Sequence, residues 1–159
     1  MALRERVNRL TLAALIWVSL WAIAGVAIFH RASVATTELS HAQSFSLGGL
    51  GGPSRESLDL QWLLRVPGAE RRFSQLLSAE SPAARLFGAC GLQVIGSDRF
   101  EAAREQLARD DSELLVFYGC LGSSSHLRDL SSELPQLCSH IRASGFEWAR
   151  AEIGRLVER

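Results

Sequence analysis

Three cysteines carry most of the chemistry this sequence offers: Cys90, Cys120 and Cys138. None belongs to a Cys-x-x-Cys pair, so thioredoxin-like redox work lacks its motif. Three cysteines allow one bridge and leave one thiol over. The expected bridge is Cys120–Cys138, because a loop precedes the second helix and lets it fold back. Closing a loop of that order stabilises by roughly 3 kcal/mol. Cys90 lies between Gly88 and Gly91 on a well-patterned helix and reads as a small core residue. Three unpaired buried thiols are the plain alternative. Phe117-Tyr118-Gly119-Cys120-Leu121-Gly122 offers a second chemistry. With a strand ahead of it, Cys120 would stand on a strand-to-helix turn as the nucleophile of a thiol-dependent hydrolase, with His126 or His140 as base. That elbow wants glycine two residues before and two after the nucleophile; Gly122 fits and Tyr118 does not. Ser123 to Asp129 hold three serines, His126 and Asp129, yet neighbours on one turn rarely achieve triad geometry. Serines ahead of a helix are ordinary caps. Cys138 and His140 are too few and too close for a zinc site. The expectation is no catalytic residue, no metal and no cofactor.

The location of these residues follows from the run Leu10 to Phe29, twenty residues without a charge. At a rise of about 1.5 Å per residue it matches a bilayer's hydrocarbon core. Arg4, Arg6 and Arg9 precede it against a single Glu5, whereas His30 and Arg31 follow it and the next arginine is Arg55. Arginine excess marks the cytoplasmic flank, so residues 1–9 stay inside and the C-terminal part is exported across the cell membrane, into a periplasmic or other extracytoplasmic space. Ser33-Val34-Ala35 is a tolerable cleavage site, but a signal peptide's apolar region normally spans about 7–15 residues, so an uncleaved anchor is expected. A helix apolar on every side seldom fits inside a domain this small. Trp17 and Trp21 lie one helical turn apart near mid-span instead of in the interfacial belts. With Ala24 and Gly25 they are candidates for helix packing in the membrane, which would make the chain a structural subunit of a membrane complex. Lipid-facing filler is the plainer account.

All 17 basic residues are arginine. From Ser44 onward 13 of them face 15 acids with signs interleaved, and nucleic-acid binding, which needs a clustered positive footprint, is set aside. After a juxtamembrane segment at 30–43, the four glycines and proline of residues 44–54 read as a flexible linker, because they favour coil over packing. A phosphate loop is excluded there by the missing lysine and Ser/Thr.

Residues 55–159 read as one helical domain, long enough for a single core. Leu58, Trp62, Leu63 and Val66 share a face before Pro67-Gly68 stops the first helix. Ala69, Phe73, Leu76 and Leu77 repeat the pattern. Ser81-Pro82 opens a third helix as cap and first residue, with Ala83, Leu86, Cys90 and Val94 on one face and Gly96 as its left-handed stop. Asp98 with Glu101 forms a capping box for a fourth helix carrying Phe100, Ala103 and Leu107, and Asp110 with Glu113 opens a fifth. Leu114 to Tyr118 also fits a buried strand, with helix preferred for its acidic lead-in. Pro135 sets a boundary at 131–133. Gly145 precedes a last helix striped with Ala149, Ile153, Leu156 and Val157.

Shifted by 30 positions, Leu77, Phe87 and Cys90 fall on Leu107, Phe117 and Cys120, and Ser81 falls on Asp111. In this pattern the chain resembles, over about residues 69–122, the HEAT and armadillo class of stacked helical repeats, though with a spacing shorter than the roughly 40 residues usual there. The resemblance implies a scaffold that binds other proteins. The fold expected is thus all-α, a transmembrane helix followed by stacked helical hairpins.

Overall fold

A computed structural model describes residues 2–46, 54–118 and 121–139, with side chains from residue 14 onward except that of Tyr118. It divides the chain into two compact units, Met1–Val34 and Ala35–Arg159. The boundary falls inside the first helix, α1, Ala2–Ser40. Along residues 14–29 the apolar side chains of α1 are exposed, Trp17 and Trp21 among them. The segment Ala14–Ser40 is long and apolar enough to cross a membrane.

The second unit is mostly helical but not all-α. A three-residue strand β1 (Ser44–Ser46) is followed by helices α2 (Arg55–Leu63), α3 (Ala69–Leu76), α4 (Pro82–Val94) and α5 (Phe100–Leu107). A hairpin of β2 (Glu113–Tyr118) and β3 (Leu121–His126) leads to the single turn α6 (Leu127–Leu130). Residues 131–133 form a turn, where Pro135 had set the boundary, and residues 134–139 are helical. Strand order is β1-β2-β3, with β1 parallel and β3 antiparallel to β2.

α4 is the central element, buried from Ala83 through Leu92 except at Arg85. Its sequence specifies both ends. Ser81 accepts the Ala84 N–H and Pro82 takes the first turn, where its missing donor costs nothing. Gly96 adopts φ 70° and closes the helix as the Ser97 N–H bonds the Leu92 carbonyl at 2.9 Å and the Gly96 N–H bonds that of Gln93 at 3.0 Å. Two further glycines let α3 approach α4. A Cβ on Gly88 would stand 2.7 Å from the Phe73 carbonyl oxygen, and one on Gly91 would stand 2.3 Å from the Phe73 ring. Phe73 is fully buried, so neither neighbour has room to retreat. Gly88→Ala is therefore expected to destabilise by about 1–3 kcal/mol, overcoming the roughly 1 kcal/mol alanine gains as a helix former. Urea unfolding of the full chain in detergent checks this, and an unchanged midpoint would refute the close approach.

The sheet overturns the expected fifth helix. Leu114 and Val116 are buried while Glu113 and Leu115 are exposed, a period of two that only a strand satisfies. The acidic lead-in acts differently from a helix cap: Asp110 Oδ1 accepts the Ser112 N–H at 3.0 Å in a local turn before β2. The second repeat hairpin is thus a helix followed by a strand, and the 30-residue correspondence does not extend to structure. The Asp98–Glu101 capping box is also absent. Arg99 holds the cap position, Ser97 Oγ accepts the Arg99 N–H at 3.2 Å, and Glu101 pairs with Arg104 instead. Of the apolar face expected for the first helix, Leu63 and Val66 are buried, whereas Leu58 and Trp62 are only partly so; Leu60 is buried in addition, and Ser57 points inward to the Ser46 carbonyl at 3.0 Å.

The expected linker at 44–54 needs the largest correction. Phe45 is fully buried in β1, paired with Val116, with its ring centroid 4.6 Å from that of Phe87. Ahead of it, Ala35, Leu39 and Ala42 are buried too, and Ala42 offers its carbonyl to the Ser81 hydroxyl. Ser54 caps α2 and lies 3.1 Å from the Ser46 carbonyl. Residues 35–46, expected to lie in the juxtamembrane segment and the tether, thus give Ala35, Leu39, Ala42 and Phe45 to the core of the second unit. Of the Gly-rich stretch, residues 47–53 lie outside the described residues.

Candidate functional site

The cysteines are paired differently from the expectation. The bond joins Cys90 on α4 to Cys138 in the helical segment 134–139, with Cα atoms 5.2 Å apart, and both residues are fully buried. Cys90 is a core residue as expected, but its small side chain faces the segment that Leu134 and Leu137 pack into the core. Sequence proximity had favoured Cys120; tertiary packing decides otherwise. Cys120 itself lies outside the described residues.

The thiol-hydrolase alternative needed a strand-to-helix turn at Cys120. β2 is indeed a strand, but it returns as its hairpin partner β3, with Tyr118 opposite Leu121. The residues Ser123 to Asp129 are not assembled into a triad. The Ser124 hydroxyl bonds Glu113, the His126 Nδ1 lies 2.8 Å from the Asp111 carbonyl and so donates to it, and Asp129 pairs with Arg128. His140 is outside the described residues.

The loops joining these elements are held by one arginine. Arg85 on α4 donates through Nη1 to the Ala79 and Glu80 carbonyls, both at 2.8 Å, and through Nη2 to Ser112 Oγ at 2.8 Å. Its Nε stands 2.8 Å from Asp110 Oδ2, both side chains largely shielded from solvent. Burial alone would raise the Asp110 pKa, but the Ser112 hydrogen bonds and the Arg85 charge outweigh it and hold it below the ordinary carboxylate value. A lowered folded pKa contributes stability that is complete above about pH 4 and is lost as pH falls through the lower folded value. Asp110→Asn should therefore trail the parent in unfolding free energy at pH 6–7, with the gap closing below pH 4. A gap of constant size across that range would contradict the assignment.

A recess of the second unit lies between α3 and the start of α5. It has a volume of about 550 Å³ and is lined by Glu70, Arg71, Ser74, Gln75, Ser78 and Arg99. Arg99 bonds Ser74 Oγ at 3.4 Å and pairs with Glu70, which also accepts the Ser97 hydroxyl at 2.8 Å. The Arg71 side chain has no ion pair or hydrogen bond among the described residues. The apolar face of α3 carries the stronger signal in the sequence; the mark of this one is that Arg71, Ser74, Gln75 and Ser78 follow helical spacing as a polar stripe.

On α1, Trp17, Leu20, Trp21 and Ala24 line a shallow apolar notch, and nothing lies within 4 Å of a Cβ built on Gly25. The four residues singled out from sequence thus share one exposed face. No group of His, Cys, Asp and Glu among the described residues is arranged to hold a metal ion. Compared with known proteins, the chain matches no family model, no curated protein and no solved structure.

Proposed function

We propose that the chain is a single-pass membrane protein with a cytoplasmic N-terminus, whose second unit, outside the cytoplasm, binds another protein through the α3/α5 recess. The apolar length of α1 supports the span. Two independent features support the orientation. Arg4, Arg6 and Arg9 crowd the flank ahead of the run. A buried Cys90–Cys138 bond suits an oxidising compartment, since thiols in the cytosol are kept reduced. The tripeptide Ser33-Val34-Ala35 lies within helical α1, which favours an uncleaved anchor over a released domain.

The observation that carries the binding reading is the recess itself. Ser74, Gln75 and Ser78 line it together with Arg71, Arg99 and Glu70, and Arg71 is available to a carboxylate on a partner. Truncating a central arginine at an interface commonly costs more than 1 kcal/mol of binding. The test is crosslinking in intact membranes followed by capture, comparing the parent with Arg71→Glu. The expected result is a partner recovered with the parent and at least tenfold depleted with the variant. Equal recovery from both, or no specific partner from either, would overturn the reading.

A further inference from the structure

We propose that the native bond of this protein is reached mainly by thiol–disulfide exchange through Cys120, with direct oxidation of Cys90 and Cys138 the minor route. The inference rests on the exported reading above, because only there does a disulfide donor meet the chain as it emerges. The three cysteines stand at 90, 120 and 138, giving separations of 30 and 18 for the consecutive pairs and 48 for the native one. Loop closure in an unfolded chain falls as about the three-halves power of length, so the native pair meets roughly fourfold less often than Cys120 with Cys138 and twofold less often than Cys90 with Cys120. On that scaling only about one first-formed bond in seven is native. Order of emergence adds to the bias, since Cys90 and Cys120 cross the membrane before Cys138.

Both competing bonds contain Cys120, and each is resolved by the thiol it leaves out. The first bond forms when two cysteine thiols pass two electrons and two protons to the donor disulfide, which leaves as a dithiol. In the Cys90–Cys120 species the Cys138 thiolate then attacks the Cys90 Sγ. The Cys90–Cys138 bond forms, the old bond breaks, and Cys120 departs as a thiolate that takes up the proton Cys138 gave away. In the Cys120–Cys138 species the Cys90 thiolate attacks the Cys138 Sγ with the same outcome. No oxidant or reductant is consumed in either exchange. Folding makes it one-way, because Cys90 and Cys138 are fully buried once bonded and an attacking thiol must reach a sulfur to exchange. Cys120, the third of three cysteines, is left without a cysteine partner in the chain.

The test is oxidative refolding of the reduced full chain in detergent micelles, with a small-molecule disulfide as donor. Samples are quenched by alkylation over time and their bonds mapped by peptide mass spectrometry. The earliest single-bond species should be mostly Cys90–Cys120 and Cys120–Cys138, decaying into Cys90–Cys138 as the Cys120 thiol reappears. Cys120→Ser, left with Cys90–Cys138 as its one possible bond, should lose its free thiols severalfold more slowly than the parent, and an equal rate would count against the route through Cys120. A parent chain whose earliest bond is already predominantly Cys90–Cys138 would overturn the proposal, as would an end state that retains a bond to Cys120. Membrane orientation does not enter this experiment, so its failure is separate from failure of the exported reading, which the thiol state in cells decides.

Discussion

Phe45→Ala is expected to lower the unfolding free energy by about 3–5 kcal/mol, the range for truncating a buried phenylalanine. Phe45 is fully buried, its ring tilted against that of Phe87 of α4. Its removal leaves a cavity between α4 and the sheet that a three-residue strand is too short to close. The variant separates two accounts of residues 44–46. A residue in a solvated tether would change stability by less than about 0.5 kcal/mol. Denaturant unfolding of the full chain in detergent, followed by near-ultraviolet circular dichroism, measures the difference. A loss below 0.5 kcal/mol would return Phe45 to a linker.

Removing the Cys90–Cys138 bond is expected to have an effect of similar size. With a sequence separation of 48, loop-closure entropy alone assigns the bond roughly 4 kcal/mol. Replacing both cysteines by alanine should lower the unfolding free energy by at least that margin, and adding reductant should then leave the variant unaffected while destabilising the parent. Truncation of two buried sulfur side chains contributes to the variant but not to the reduced parent, so comparing the two isolates the crosslink. A parent insensitive to reductant throughout unfolding would show that no such bond constrains it.

These expectations mark where the sequence was legible and where it was not. α3 and α4 were readable to within a residue or two, because Ser81-Pro82 and Gly96 are local signals that act on the backbone next to them. The apolar run of α1 was equally plain. β2 was ambiguous because five consecutive apolar residues satisfy both periods, and its strand character is decided by pairing with Ser44–Ser46 some 70 positions away. That pairing also concealed β1. Ser44, Phe45 and Ser46 have no periodicity of their own, and the adjoining glycines argued for coil. The disulfide followed the same rule: Cys90 meets Cys138 because of how the segment 134–139 docks, and sequence separation pointed to the nearer cysteine. The recess on α3 was visible as a polar stripe, but polar stripes on helices are ordinary solvated faces until a neighbouring element makes them concave. Here Arg99, at the start of α5, supplies the second wall.

The account depends most on an oxidised unit lying on the far side of a membrane from the arginine-rich N-terminus. Cells producing the full chain can be acid-quenched, their free thiols blocked with a light alkylating agent, and the membrane fraction then reduced and labelled with a heavy one. The account predicts heavy label on Cys90 and Cys138, light label on Cys120, and all of it in material that needs detergent for release. Light label on all three cysteines, or a chain that is soluble without detergent, would contradict it.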